Sequence, residues 1–289
     1  MTILEVLNWA TARFKESQLQ NPRLNAELLL AHSLNLSREG LYTRLKDPIG
    51  EAEKRASEEL INRRLSGEPL QYILGHQEFW SIDLKVDPRV LIPRPDTEIL
   101  VEQALSGILR ISSKKPPAVL EIGTGSGAIA IAIAREVRKV SFVATDVSRK
   151  ALILARQNAR EAGVSEKIAF IQGDLFQPFH CPEGKGSFDI ILSNPPYIIK
   201  SEMEQLAREV KDFEPAIALN GGEDGFDFHR KIILEAPGYL KREGWLLLEV
   251  GQGQAEGVSG MIGKTGKFLS LERIPDLSGI ERVVRARKR

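Results

Sequence analysis

Between Ala118 and Leu192 the chain alternates short apolar runs with amphipathic stretches, and few architectures accept such a pattern. Ala118–Ile122, Val140–Thr145, Ile168–Ile171 and Phe188–Leu192 are short and bounded by turn residues, so they read as strands buried on both faces. Helices are predicted from Ala128 to about Arg135 and over Ser148–Gly163, with Ser148 as N-cap. Strand–helix–strand repetition of this kind builds a doubly wound α/β sheet, mostly parallel. Beyond Leu192, helices are predicted near 201–211, 225–241 and 252–263, with a strand at Trp245–Val250. Two closing strands, Lys267–Ile274 and Arg282–Ala286, are close enough in sequence to pair antiparallel, which brings the sheet to seven strands.

The first 75 residues differ in character. Leu4, Leu7, Ala10 and Phe14 form one helical stripe. Asn21-Pro22 reads as an N-cap and first-turn proline, followed by Leu24, Leu28 and Ala31. A third helix runs from about Gly50 to Ser66 with Ala52, Ala56 and Leu60 inward, and Gly67 stops it. Residues 1–75 are therefore expected to be a small helical bundle. Phe79–Val86 alternates as a strand, Asp87-Pro88 turns, and Leu91-Ile92-Pro93-Arg94-Pro95-Asp96 is a proline-punctuated loop. Residues 76–93 are expected to be a hairpin linker, and residues 94–289 the α/β domain. Arg94 could pair with a carboxylate near the site or simply be solvated.

A net charge of +1 offers no overall field for grasping nucleic acid, and the basic end from Arg282 to Arg289 reads as a solvated strand terminus. The lone Cys181 allows no intrachain disulfide, which fits a reducing compartment. The start lacks a signal-peptide pattern and no apolar run approaches ~18 residues. A cytoplasmic protein is expected, with no membrane partner. His32, His76, His180 and His229 are scattered without metal-ligand spacing, so no metal is expected.

Ligands of open α/β sheets bind at the carboxyl ends of the strands. Four ends carry chemistry. After the first comes Gly123-Thr124-Gly125-Ser126-Gly127-Ala128, whose glycines permit a tight turn and close backbone approach. Asp146 ends the second strand about 20 residues on, as a ribose-binding acid should. These features alone also satisfy a dinucleotide fingerprint. Glu121 argues against phosphates, since its charge would repel them, whereas a cofactor with an ammonium and a sulfonium tolerates it. Gly173-Asp174, after the third strand, can accept from an adenine amino group. The fourth strand ends in Ser193-Asn194-Pro195-Pro196-Tyr197. Its prolines lack N–H groups and hold the backbone extended, leaving the Asn194 oxygen and a backbone carbonyl as rigid acceptors. Two acceptors suit an uncharged planar NH2 group, on whose carrier Tyr197 can stack. A hydride-transfer enzyme has no use for such a clamp; a nitrogen methyltransferase needs one.

The order Gly-Thr-Gly-Ser-Gly, Asp146, Asp174, Asn-Pro-Pro-Tyr resembles class I S-adenosylmethionine-dependent methyltransferases acting on amino or amide nitrogen. Gly67-Glu68-Pro69-Leu70-Gln71-Tyr72-Ile73-Leu74-Gly75 and Leu91–Glu98 bring the likeness closer to the PrmC/HemK family. So do Phe213-Glu214-Pro215, Gly221-Gly222-Glu223-Asp224-Gly225 and Glu281-Arg282-Val283. The resemblance implies a Rossmann-like methyltransferase fold and methylation of the side-chain nitrogen N5 of a glutamine. The partner it implies is a class-1 peptide-chain release factor, modified in its Gly-Gly-Gln motif; because one side chain cannot supply protein-level specificity, the helical N-terminus is expected to dock it. S-adenosylmethionine would be the cofactor and S-adenosylhomocysteine the product. Cofactor contacts would come from Gly123, Thr124, Gly125, Ser126, Gly127, Asp146, Asp174, Leu175 and Asn194, and substrate contacts from Asn194, Pro195, Pro196 and Tyr197. Asn194, Pro195 and Tyr197 would carry the catalysis. Leu175 departs from the family, which often has an aromatic residue there. A monomer without direct nucleic-acid binding is expected. The rivals are an adenine-N6 methyltransferase, which shares the clamp, and an NAD-dependent oxidoreductase.

Overall fold

The computed structural model describes residues 1–111, 115–179 and 185–289; His180 and Cys181 lie outside them. The chain divides into two compact units, residues 1–76 with 207–213, and residues 77–206 with 214–289.

The first unit contains α1 (Ile3–Glu16), α2 (Pro22–Ser33), α3 (Arg38–Thr43), α4 (Glu51–Leu65) and α5 (Leu70–Leu74). A capping box starts α1: the Glu5 amide donates to Thr2 Oγ1 at 3.3 Å and the Thr2 amide to Glu5 Oε2 at 2.8 Å. Ile3, Val6, Leu7, Ala10 and Phe14 then pack with Leu29 and Leu30 of α2 and Ile61 of α4. Two helix faces differ from the expected stripes. On α2, Leu24 is exposed and Asn25, Leu29 and Leu30 turn inward; on α4, Ser57, Ile61 and Arg64 are buried instead of Ala52 and Ala56. Polar pairing decides this. Arg64 Nε donates to Asn25 Oδ1 at 2.9 Å, another Arg64 nitrogen to the Glu68 carbonyl at 2.8 Å, and a third to Glu209 Oε2 at 2.7 Å. Buried polar groups are tolerated when bonded, and apolar spacing does not report them. Asn21 stands before α2 in the left-handed region, φ 50°, and makes no side-chain cap.

In the second unit, β1 (His76–Phe79) and β2 (Ile82–Lys85) form a two-stranded hairpin. The expected single strand is broken at Trp80-Ser81, where both φ are positive, 53° and 54°. That geometry usually demands Asn or Gly. Here hydrogen bonds from the Trp80 amide to Glu98 Oε1 (2.8 Å) and from its indole to Glu136 Oε1 (3.0 Å) hold it. Then follow α6 (Glu98–Leu109), β3 (Ala118–Ile122), α7 (Ala128–Glu136), β4 (Ser141–Asp146), α8 (Arg149–Glu161), β5 (Ile168–Gln172) and β6 (Phe188–Ser193). The helix expected at 201–211 is a 3-10 segment, Lys200–Gln205, and the single turn α9 (Arg208–Lys211), which belongs to the first unit. The chain ends through α10 (Asp227–Tyr239), β7 (Leu240–Glu249), α11 (Ala255–Lys264), β8 (Phe268–Pro275) and β9 (Glu281–Lys288).

The expected seven-stranded, mostly parallel sheet forms in the order β5-β4-β3-β6-β7-β9-β8, with β9 alone running opposite to the other strands. Successive side chains of the central strands alternate between two cores. Val119, Ile190, Leu192 and Leu247 pack with α6 and α7, while Leu120, Ile191, Leu246 and Leu248 pack with α10 and α11. Every residue from Ala128 to Ala134 is buried, so α7 alternates alanine and isoleucine instead of carrying a polar face. The chain runs outward from β3 to β5, then crosses back to β6 on the other side of β3. The strand order therefore reverses between β3 and β6, where such folds open a crevice. No helix is long and apolar enough to cross a membrane among the described residues.

Candidate active site at the strand-order reversal

Parallel pairing puts Ile122 of β3 opposite Ser193 of β6, and Ser193 Oγ donates to the Ile122 carbonyl at 2.7 Å. The glycine loop and the proline clamp, some seventy residues apart in sequence, thus leave the sheet side by side. A cavity of about 350 Å3 opens between them. Gly123, Thr124, Gly125, Ser126, Asp146, Gly173, Asp174, Leu175, Asn194, Pro195 and Pro196 all line it. Gly127 and Tyr197 do not.

The loop is tied down from below. The Gly123 and Thr124 amides donate to the Thr145 carbonyl, each at 2.9 Å. The Asp146 carboxylate takes the Gly125 amide at 2.9 Å on one oxygen and the Ser148 amide at 2.8 Å on the other. Burial raises its pKa above the ordinary aspartate value, against the pull of those two amides. Gly123 (φ 76°) and Gly125 (φ 55°) need glycine for their backbone, and a Cβ on either would meet no protein atom within 4 Å. Their open side is the cradle a ligand can occupy. Gly127 serves packing instead, since a Cβ there would press on Ala155 of α8 at 3.2 Å.

Glu121 lies beneath this loop, 1% exposed. Its Oε2 accepts from the Thr124 hydroxyl at 2.8 Å, while Oε1 is buried without a partner. Burial, with Asp146 adding to it, pushes its pKa up to about 8 despite the Thr124 hydroxyl. A buried acid with a spare oxygen next to a cradle suits a cationic ligand.

On the clamp side, Gly221 and Gly225 press against Tyr197. A Cβ on Gly221 would lie 2.7 Å from the Tyr197 Cα, and one on Gly225 2.6 Å from its carbonyl oxygen. Gln254 Nε2 also donates to that carbonyl at 2.9 Å. Tyr197 is half-buried, its pKa pushed up to about 12 mainly by burial and then by the charge of Glu249. Asn194 Nδ2 donates to Thr97 Oγ1 at 3.3 Å. Arg94 does find a carboxylate: it pairs with Glu214, which is 5% exposed and also takes the Ile92 amide at 3.3 Å. This holds the proline-punctuated loop, whose Pro93, Arg94 and Thr97 line the cavity.

Several contributors left no mark in the sequence. Asn158 of α8, 2% exposed, donates to the Lys85 and Ser126 carbonyls at 3.0 and 2.9 Å and accepts from the Lys85 amide at 2.9 Å. It joins β2, α8 and the glycine loop. Phe228 and Lys231 of α10 also line the cavity. Each is an ordinary helix residue until the fold brings it there. Among the described residues no cluster of three or more His, Cys, Asp or Glu could hold a metal ion.

Residues 5–75 match the PrmC N-terminal domain family and residues 119–213 a methyltransferase domain family. A release factor glutamine methyltransferase of Geobacter sulfurreducens is 44% identical over 286 residues, covering 99% of this chain and 96% of that one. One from Rhodopirellula baltica is 39% identical over 290 residues, with 99% and 96% covered. Among solved structures, the human Mettl16 catalytic domain in complex with an RNA hairpin superposes with a TM-score of 0.57 at 15% identity, covering 78% of this chain and 81% of that one. A Pyrococcus furiosus methyltransferase gives 0.51 at 19% identity, covering 81% and 98%. At such identities the likeness concerns the fold alone.

Proposed function

The chain belongs to the release factor glutamine methyltransferase family, and on that premise we propose that it methylates N5 of the Gly-Gly-Gln glutamine of class-1 release factors with S-adenosylmethionine. The observation that carries this reading is the register of β3 against β6, which sets the glycine cradle and the amide clamp on one cavity. The residues fit the cofactor. Gly123 and Gly125 leave open space, Asp146 faces the cavity as a ribose acceptor, and Asp174 and Leu175 border the adenine position. The spare oxygen of Glu121 suits the cationic end. When bound, S-adenosylmethionine supplies an electrophilic methyl on a sulfonium.

The chain's own residues do the rest. A carboxamide nitrogen is a poor nucleophile, because its lone pair is delocalised into the carbonyl. The Asn194 oxygen and the Pro195 carbonyl each accept one N–H of the substrate NH2, which aims the nitrogen lone pair along the line of attack. Alignment of two reactants is worth up to ~7–11 kcal/mol in favourable cases. The same acceptors stabilise positive charge growing on nitrogen. No base need act before attack, and a proton leaves after transfer. Tyr197, the third proposed catalytic residue, would stack on the flat group that carries the substrate NH2, its backbone held by Gln254 and pressed by Gly221 and Gly225. The helical unit supplies a second contact area, since one glutamine side chain cannot give protein-level selectivity; stable interfaces bury ~1,200–2,000 Å2.

The test is incubation with labelled S-adenosylmethionine and release factor, beside tRNA and DNA, with NAD as a binding control. Label should enter release factor alone. Asn194→Ala should cut turnover by about 100-fold or more, as loss of one preorganised polar group does, while cofactor affinity changes little. Near-normal turnover in that variant would sink the clamp.

A further inference from the structure

The clamp works only if Asn194 presents its oxygen to the cavity, yet a carboxamide fits its place equally well turned over by 180°. Thr97 cannot settle the matter alone, because a hydroxyl both donates and accepts. Thr97 stands at the N-cap of α6, 4% exposed, and its hydroxyl makes no capping bond to the helix. It accepts from Asn194 Nδ2 at 3.3 Å instead. Behind this pair lies Glu249, the last residue of β7, 2% exposed. Its carboxylate faces both the Thr97 hydroxyl and the Asn194 amide, and Oε2 is buried with no partner of its own. The His229 ring holds the Glu249 carbonyl at 2.9 Å, which fixes the strand end.

The geometry points to Thr97 and Glu249 as positioning residues that lock the Asn194 carboxamide with its NH2 inward and its oxygen toward the cavity, so that the site selects a substrate nitrogen carrying two hydrogens. An ionised carboxylate only accepts. It therefore draws the Thr97 proton and an Asn194 N–H toward itself, and the Thr97 oxygen is left to accept the other. Every donor of the three side chains is then spent inward, and the Asn194 oxygen is left, beside the Pro195 carbonyl, to accept from the substrate. Were the amide reversed, its NH2 would meet the substrate NH2 and the Glu249 charge would face an oxygen. The inference rests on the proposed glutamine methylation but concerns residues outside the cofactor cradle.

The test uses the full chain. Thr97→Val keeps shape and removes the hydroxyl; Glu249→Gln keeps shape and removes the obligatory acceptor. Each should lower kcat at saturating S-adenosylmethionine by about tenfold or more, the scale of a lost polar positioning contact. The cofactor Kd should stay within about twofold, and Thr97→Ser should recover kcat to within about threefold, because the hydroxyl is what matters. Adding Thr97→Val to Asn194→Ala should cost nothing further, since residues acting as a unit are non-additive. A substrate-free readout separates the network from the reaction. The Asn194 side-chain amide protons, assigned by their loss in Asn194→Ala, should exchange slowly in the parent and quickly in Glu249→Gln. Glu249 also faces Asp96, Arg282 and Tyr197, and burial pushes its pKa up to about 7. The parent kcat should thus fall as pH drops through that value and stay flat in Glu249→Gln. Full kcat in folded Thr97→Val, or freely exchanging Asn194 amide protons in the parent, overturns the inference. A parent protein that labels no release factor while its Asn194 protons are protected refutes the substrate and leaves the network standing.

Discussion

At the residue scale, the two raised carboxyls at the glycine loop, Asp146 and Glu121, dominate. Asp146 ties the Gly125 and Ser148 amides and faces the cavity. Removing it frees the loop and deletes an acceptor, at ~1.5–3 kcal/mol for each charged hydrogen bond. Asp146→Ala should weaken S-adenosylmethionine binding by about tenfold or more, and unchanged binding by calorimetry would reassign the acid. Glu121 titrates at about 8 in the free protein, far above its ordinary value, because it is buried. The sign follows directly. Below the unfolded value near 4.5 the acid is protonated in both states, and its contribution to stability is full. As pH rises toward 8, the unfolded chain ionises and the folded one resists, so stability falls by up to about 1.4 kcal/mol per pH unit. A cation arriving beside Glu121 lowers that pKa. Cofactor binding at pH 7 should therefore release part of a proton, and affinity should rise with pH up to about 8. Titration calorimetry in buffers of different ionisation enthalpy measures the proton, and Glu121→Gln should abolish it.

At the element scale, the site depends on how neighbouring elements are pinned. Asn158 satisfies three backbone groups on β2 and the glycine loop from one buried position on α8. Asn158→Ala leaves them unpaired, each costing roughly 1–3 kcal/mol where water cannot replace the bond. The denaturation midpoint of the variant should fall by an amount equivalent to about 3 kcal/mol or more in all. Cofactor affinity should fall with it, since the Ser126 carbonyl loses its anchor. A variant as stable as the parent would show that water fills the gap. The sequence displayed α8 clearly, with Ser148 capping it through a 3.2 Å bond to the Ala151 amide. It showed nothing of Asn158, because a polar residue on a helix looks the same whether it meets solvent or three backbone groups. The Trp80-Ser81 turn was hidden for a related reason: side chains from α6 and α7 stabilise it, not residues of the turn itself.

At the scale of the whole molecule, the proposed catalytic groups and the helical bundle fall into separate compact units, with residues 207–213 joining the bundle. Ligand effects should be separable in the same way. In hydrogen exchange, S-adenosylmethionine should protect residues 123–127, 146–148 and 173–175, and leave residues 1–65 unchanged. Release factor should add protection within residues 1–65. Its absence there would reject the docking role proposed for the bundle. What the sequence determined by itself was local chemistry and layer type. Apolar runs in alternation require a buried parallel sheet, glycines require a loop, and Asn-Pro-Pro makes an acceptor pair wherever it sits. The tertiary structure decided which of these meet. Ile122 opposite Ser193 joins the loop to the clamp, Glu214 reaches Arg94, and Glu249 comes to stand behind Thr97 and Asn194. Such pairings depend on strand order and register, which arise from packing of the whole core, and no local run of residues encodes them.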